Sequence, residues 1–232
     1  MAKKPGTKKK TANDEDARVK KKFASEEFQN KQIKIVLVLI GILFLAGILS
    51  YYIYQQVSNP EYRGLKFYKV KEGKIDFYVV RVPSINPLTG QAEGYYDMAL
   101  RNNPNDLNYI NFTGRAKFLR NITLSFSRAI EGCSDNLIAV ANFVRVFNGG
   151  LGFNIKGATT NEEYARDVNM TYATCDHAGN QTVIIIQNAS LGGPTAIEET
   201  IDDCYVIDVD KCEVLPALER FMLETAARSQ ML

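Results

Sequence analysis

At 232 residues, 46% of them hydrophobic and 23% charged, the chain has the composition of a folded protein and the length to bury a sizeable core. Its formal charge of +2 hides an asymmetry: residues 1–34 hold 11 Lys or Arg and 5 Asp or Glu, a net of +6, while the rest holds 17 and 21, a net of −4. This balance argues against a chain built to coat nucleic acid, and a single histidine leaves little scope for histidine-based catalysis.

The opening stretch, MAKKPGTKKKTANDEDARVKKKFASEEFQNK, alternates lysine blocks with an acidic patch at Asp14 to Asp16 and has few large apolar residues. It cannot bury enough surface to offset chain entropy, which predicts a disordered cytoplasmic tail over residues 1–34. Lys20, Lys21, Lys22, Lys31 and Lys34 are suited to anionic lipid headgroups, each contributing about 1 kcal/mol near the surface. Nucleic acid would meet only the same non-specific electrostatics, and is not expected as a partner.

Residues 35–54 carry no charge. At 1.5 Å per residue they reach about 30 Å, the thickness of a bilayer's hydrocarbon core, which predicts a transmembrane helix. A cleaved signal peptide fits poorly, because the leader is long and the exit, Ser50-Tyr51-Tyr52-Ile53-Tyr54, has no Ala-x-Ala pattern. The three tyrosines suit the headgroup layer as anchors, and the lysine-rich end stays in the cytoplasm by the positive-inside rule. The expected layout is a signal anchor of type II: one pass, with the bilayer as partner and the C-terminal part extracytoplasmic.

A stalk is expected over residues 55–65, around Ser58-Asn59-Pro60, and one exported domain over 66–232. KIDFYVVRV (74–82) alternates and stops at Pro83, so it reads as a strand. ITLSF (122–126), TVIII (182–186) and CYVIDV (204–209) read as buried strands between turn signals. SDNLIAVANFVRVFNGG (134–150) reads as a helix with Ser134 or Asp135 as N-cap and Asn148-Gly149-Gly150 as its stop. PALERFMLETAARSQ (216–230) reads as a helix with Leu218, Phe221, Met222 and Ala226 on one stripe. Strands interspersed with helices predict an α/β or α+β domain, a central sheet covered by helices. The last segment, CYVIDVDKCEVLPALERFMLE, resembles the C-terminal part of uncharacterised single-pass membrane-anchored proteins of archaea. That resemblance implies an envelope location and supplies no chemistry.

Cys133, Cys175, Cys204 and Cys212 all follow the apolar run, as expected of cysteines that meet an oxidising compartment. Their spacings of 42, 29 and 8 residues contain no close pair of the kind zinc sites use, so disulfides are expected and no metal ligands are assigned. If CYVIDV is extended, Cys204 and Cys212 lie well over about 15 Å apart, beyond the ~7 Å Cα separation a disulfide tolerates. Two connectivities remain. Reading DHAGN as a hairpin turn between residues 171–175 and 182–186 puts Cys175 at the edge where a parallel strand starting at Cys204 would begin. This favours Cys175 with Cys204 and Cys133 with Cys212, the latter two at helix starts.

Five sequons, at Asn111, Asn121, Asn169, Asn180 and Asn188, also lie beyond the apolar run, against about two expected by chance. They are candidate glycosylation sites, Asn121 the weakest because it enters a strand. No catalytic or cofactor-binding residues are assigned. His177 reads as an exposed turn residue, and FNGGLGFNIKGATT as helix termination, since it lacks the Gly-Lys-Ser/Thr ending of a phosphate loop. The pairs Glu162-Glu163, Glu198-Glu199 and Asp202-Asp203 are sequence neighbours that cannot face one another and read as a solvated face. The expected function is binding or scaffolding at the cell envelope. An extracytoplasmic hydrolase or thiol enzyme is the alternative.

Overall fold

The computed structural model describes residues 11–86, 89, 91–130 and 132–229 and divides into two compact units at Gln56 and Val57. The described part of the first unit is helical throughout, within α1, Thr11–Ser58. Composition predicts an unstructured tail up to Lys34, yet the chain is already helical at Thr11. Residues 15–32 are rich in Ala, Arg, Lys, Glu and Gln, which favour helix, and they extend a long apolar helix that has already met the cost of nucleation. Residues 1–10 of the tail lie outside the described residues. Within α1, Gln32–Gln55 is long and apolar enough to cross a membrane: 24 residues with a mean hydropathy of 2.7, none of them buried.

The second unit opens with a tight hairpin, β1 (Glu61–Tyr62) and β2 (Leu65–Lys66), joined by Arg63 and Gly64, both at positive φ. Tyr62 and Leu65 are buried. Much of the expected stalk is therefore folded into the domain. An antiparallel meander follows, β3 (Tyr68–Glu72), β4 (Ile75–Ile85) and β5 (Ala92–Leu100), with β4 in the middle. The expected strand end at Pro83 does not hold. Pro83 lies beyond the last β3 pair, Tyr68 with Val79, where β4 has one neighbour instead of two and can lack a donor on its open side.

The central sheet has seven strands: β6 (Asn111–Thr113), β7 (Asn121–Phe126), β8 (Asn154–Thr159), β9 (Thr171–Tyr172), β10 (Thr182–Asn188), β11 (Ala196–Ile201) and β12 (Cys204–Val209), in the order β6-β11-β12-β10-β7-β8-β9. The five from β12 to β9 are parallel. β11 runs against β12 and parallel to β6. The helices are α2 (Asn136–Val144), α3 (Glu162–Asp167) and α4 (Val214–Ser229), so the domain is mixed α/β around a large sheet.

Register explains why the middle strands are apolar on both faces. Leu124, Ile184 and Tyr205 stand abreast on β7, β10 and β12 and join the main core with α2, α4 and the meander. Val183, Ile185 and Cys204 form a smaller cluster on the opposite face, against Cys175 and Ala178. α2 runs on into a π-helical turn, Arg145–Gly150, packed on β4 and β5. There Gly150 is required: a Cβ would meet the Tyr96 ring at 2.7 Å. The stop at Asn148-Gly149-Gly150 thus falls inside this turn. Asp135 occupies the N-cap position of α2 without a side-chain cap bond. The loop expected over FNGGLGFNIKGATT contains β8.

Two expectations about the last elements change. The DHAGN segment does not turn a hairpin, because β9 and β10 run in the same direction with β8 and β7 between them. Residues 173–181 instead cross one face of the sheet, pinned where Ser125 Oγ donates to the Ala173 carbonyl at 2.7 Å and Thr123 Oγ1 to Gln181 Oε1 at 2.8 Å. α4, expected to bury one stripe, is buried at every position from Val214 to Ala227 except the half-buried Pro216, and the buried positions include Glu219, Arg220 and Glu224. Sequence periodicity does not register charges that are buried because they are paired.

Candidate functional site

A groove of about 300 Å³ opens between α2, β4 and the start of α4. α2 contributes Ile138, Ala141 and Asn142, and the π-helical turn that continues it contributes Arg145; spaced i, i+3, i+4 and i+7, they align along one helical face over about 10 Å. Phe77 of β4 and Leu215 of α4 complete an apolar floor, and Arg101 stands at the end of β5. Ile138 is 42% exposed and its neighbour Leu137 81% exposed, unusual for large aliphatic side chains on a packed helix. Local hydrogen bonds hold the walls. Asn142 Nδ2 donates to the Ala99 carbonyl at 3.1 Å, tying α2 to β5. Glu219 accepts from the Arg101 and Asn102 amides at 2.6 and 3.0 Å and from Asn102 Nδ2 at 2.7 Å, tying the β5 end to α4.

Electrostatically the groove is cationic. Among the described residues neither Arg101 nor Arg145 forms a salt bridge within 4.0 Å, and Arg145 Nη2 donates only to Asn142 Oδ1, at 3.1 Å. Burial pushes the Glu219 carboxyl behind Arg101 above the usual range, opposed by its three hydrogen bonds and the Arg101 charge.

Elsewhere charges are paired. Glu224 is approached by Arg63 (2.7 Å), Arg220 (3.1 Å) and Arg228 (3.5 Å) and accepts from the Tyr62 hydroxyl, which in turn accepts from Arg220 at 2.6 Å. Burial, then the Glu224 hydrogen bond, raises the Tyr62 hydroxyl. Glu199, read as solvated, is bonded by the Arg115 side chain at 2.7 Å and its amide at 2.6 Å. Burial opposes the Glu199 carboxylate, but these bonds and the Arg115 charge hold it below the usual range. Its neighbour Glu198 is exposed on the alternate side of the strand, and Glu162, Glu163 and Asp202 are exposed.

The structure joins Cys133 to Cys212, with Cα atoms 5.3 Å apart, and Cys175 to Cys204, at 5.4 Å. The first bond staples the approaches to α2 and α4. The second fastens the crossing segment to the start of β12. Asn111, Asn121, Asn169, Asn180 and Asn188 are exposed at five separate places. His177 is exposed in a short 3-10 turn, its Nδ1 accepting from the Thr174 amide at 3.2 Å, and does not line the groove. Sequence reasoning missed the groove. Ile138 and Arg145 were visible as periodic positions of a helix, but Phe77, Arg101 and Leu215 come from separate elements whose convergence depends on topology.

Comparison with protein-family models, with curated proteins and with solved structures finds no match for this chain.

Proposed function

We propose that this protein is a single-pass, type II membrane-anchored chain whose exported α/β domain acts by binding or scaffolding at the cell envelope. The observation that carries the reading is an unburied helical span of 24 residues, Gln32–Gln55, uncharged throughout residues 35–54, followed by a domain whose four cysteines are all disulfide-bonded. Such a helix exposes far more apolar surface than water tolerates, and such cysteines belong with an oxidising compartment. The basic tail stays in the cytoplasm against anionic headgroups, and the exposed sequon asparagines whose hydroxyl partners are also exposed, Asn111 and Asn169 among them, carry glycans. Recognition falls to the groove, since concave apolar surface with a few fixed polar groups is what binding sites offer.

Reporter fusions test this. Alkaline phosphatase joined after Leu232 is expected to be active in cells, and a green fluorescent protein joined there to stay dark unless exported folded. Phosphatase that is inactive, with an N-terminal fusion active instead, would reverse the topology and reject the reading.

A further inference from the structure

We infer that the groove between α2, β4 and α4 receives a peptide segment of a partner protein in which apolar side chains alternate with carboxylates. The inference rests on the binding function proposed above and names the chemistry that function would recognise.

Charge complementarity decides the occupant. The part of the chain beyond residue 34 is net negative, yet the two guanidinium groups that line this groove, Arg101 and Arg145, form no salt bridge among the described residues. The same groove is lined by Phe77, Ile138 and Leu215, which would gain by being removed from water. An apolar side chain seated on that floor brings flanking carboxylates within reach of both arginines, and planar guanidinium groups suit carboxylates through paired N–H donors. The shape favours a peptide over an acyl chain. The α2 wall is a linear face about 10 Å long, open to solvent along the exposed Ile138, where a lipid tail would need an enclosed cavity.

The test is fluorescence polarisation with the full chain in phosphatidylcholine nanodiscs. The probe is a fluorescein-labelled synthetic peptide of repeating Glu-Glu-Leu-Phe units, with empty nanodiscs as the blank. Saturable binding is expected, weakened about tenfold by Arg145→Glu, abolished by Ile138→Asp, and weakened by added salt. Arg145 is exposed and bonded only to Asn142, so its substitution leaves the fold intact, and Arg101→Gln supplies an independent variant in which the amide bond to Glu219 persists. Peptides with Lys for Glu, or Ser for Leu and Phe, are expected not to bind. Equal binding of the Glu and Lys peptides, or affinity unchanged in both arginine variants, would overturn the inference. So would absence of saturable binding, and in that case the anchored, exported reading stands or falls separately on the reporter fusions.

Discussion

Tyr62 and Glu224 stand 162 positions apart in the chain and are hydrogen-bonded to each other in the protein interior. The first residue pair of the domain after α1 is thereby fastened to its last helix. Glu224 is fully buried and meets three arginines, so removing it leaves uncompensated charge in place. Glu224→Ala should cost about 3–5 kcal/mol in urea unfolding, and Tyr62→Phe about 1 kcal/mol. A loss under about 1 kcal/mol for Glu224→Ala would show that the cluster is solvated.

Glu219 and Glu199 should give opposite pH dependences. Burial raises the Glu219 carboxyl, so its contribution to stability is present below the unfolded value near 4.3 and is lost as pH rises through the raised folded value. The Glu199 carboxyl is lowered by Arg115, so its contribution is present above the unfolded value and lost as pH falls through the folded one. The stability of wild type minus Glu219→Gln should therefore fall as pH rises above about 4, whereas wild type minus Glu199→Gln should fall on acidification below about pH 4. Chemical denaturation across that range measures both slopes, and equal signs would contradict the assignment.

Each disulfide closes a long loop, 79 residues for Cys133 with Cys212 and 29 for Cys175 with Cys204. Chain-entropy reasoning puts their stabilisation at about 4.5 and about 3.5 kcal/mol. Paired Cys→Ser replacement should lower the melting temperature more for the outer bond than for the inner one. Peptide mapping without reductant should return fragments linking Cys133 to Cys212, and a fragment holding Cys204 and Cys212 alone would contradict the fold.

Glycan occupancy should follow the geometry of each sequon. Thr123 and Thr182, the hydroxyl residues after Asn121 and Asn180, are buried, and their hydroxyls are hydrogen-bonded to Gln181 and to the Leu119 amide. Asn111 and Asn169 have exposed hydroxyl partners in Thr113 and Thr171. Asn→Gln at 111 and 169 should each remove one mobility step from the protein isolated from its own cells, and at 121 and 180 none.

The strands most legible in the sequence were those buried on both faces. TVIII and CYVIDV need no partner to be recognised, because apolar density alone marks them. β5, AEGYYDMAL, and β8, NIKGAT, escaped because one face of each meets solvent and glycine interrupts the pattern. The favoured disulfide pairing emerged in the structure although its supporting hairpin did not. Cys175 reaches the start of β12 by crossing the sheet face, and the parallel alignment of β10 with β12, Val183 opposite Cys204, was the part of that reasoning that survived. The groove was invisible for a different reason. Its floor is assembled from Phe77, Ile138 and Leu215, and no local pattern records which elements will meet.

The central claim is an anchored domain on the far side of the membrane from its lysine-rich tail, and protease protection in intact cells tests it most directly. With one epitope before Met1 and another after Leu232, added proteinase should cut the short link at residues 58–60 and remove the C-terminal epitope from the cells. The N-terminal epitope should remain, protected on a fragment that holds the tail and α1, until the membrane is permeabilised. Loss of the N-terminal epitope with the C-terminal one intact would contradict the account, as would a soluble main species lacking residues 1–50.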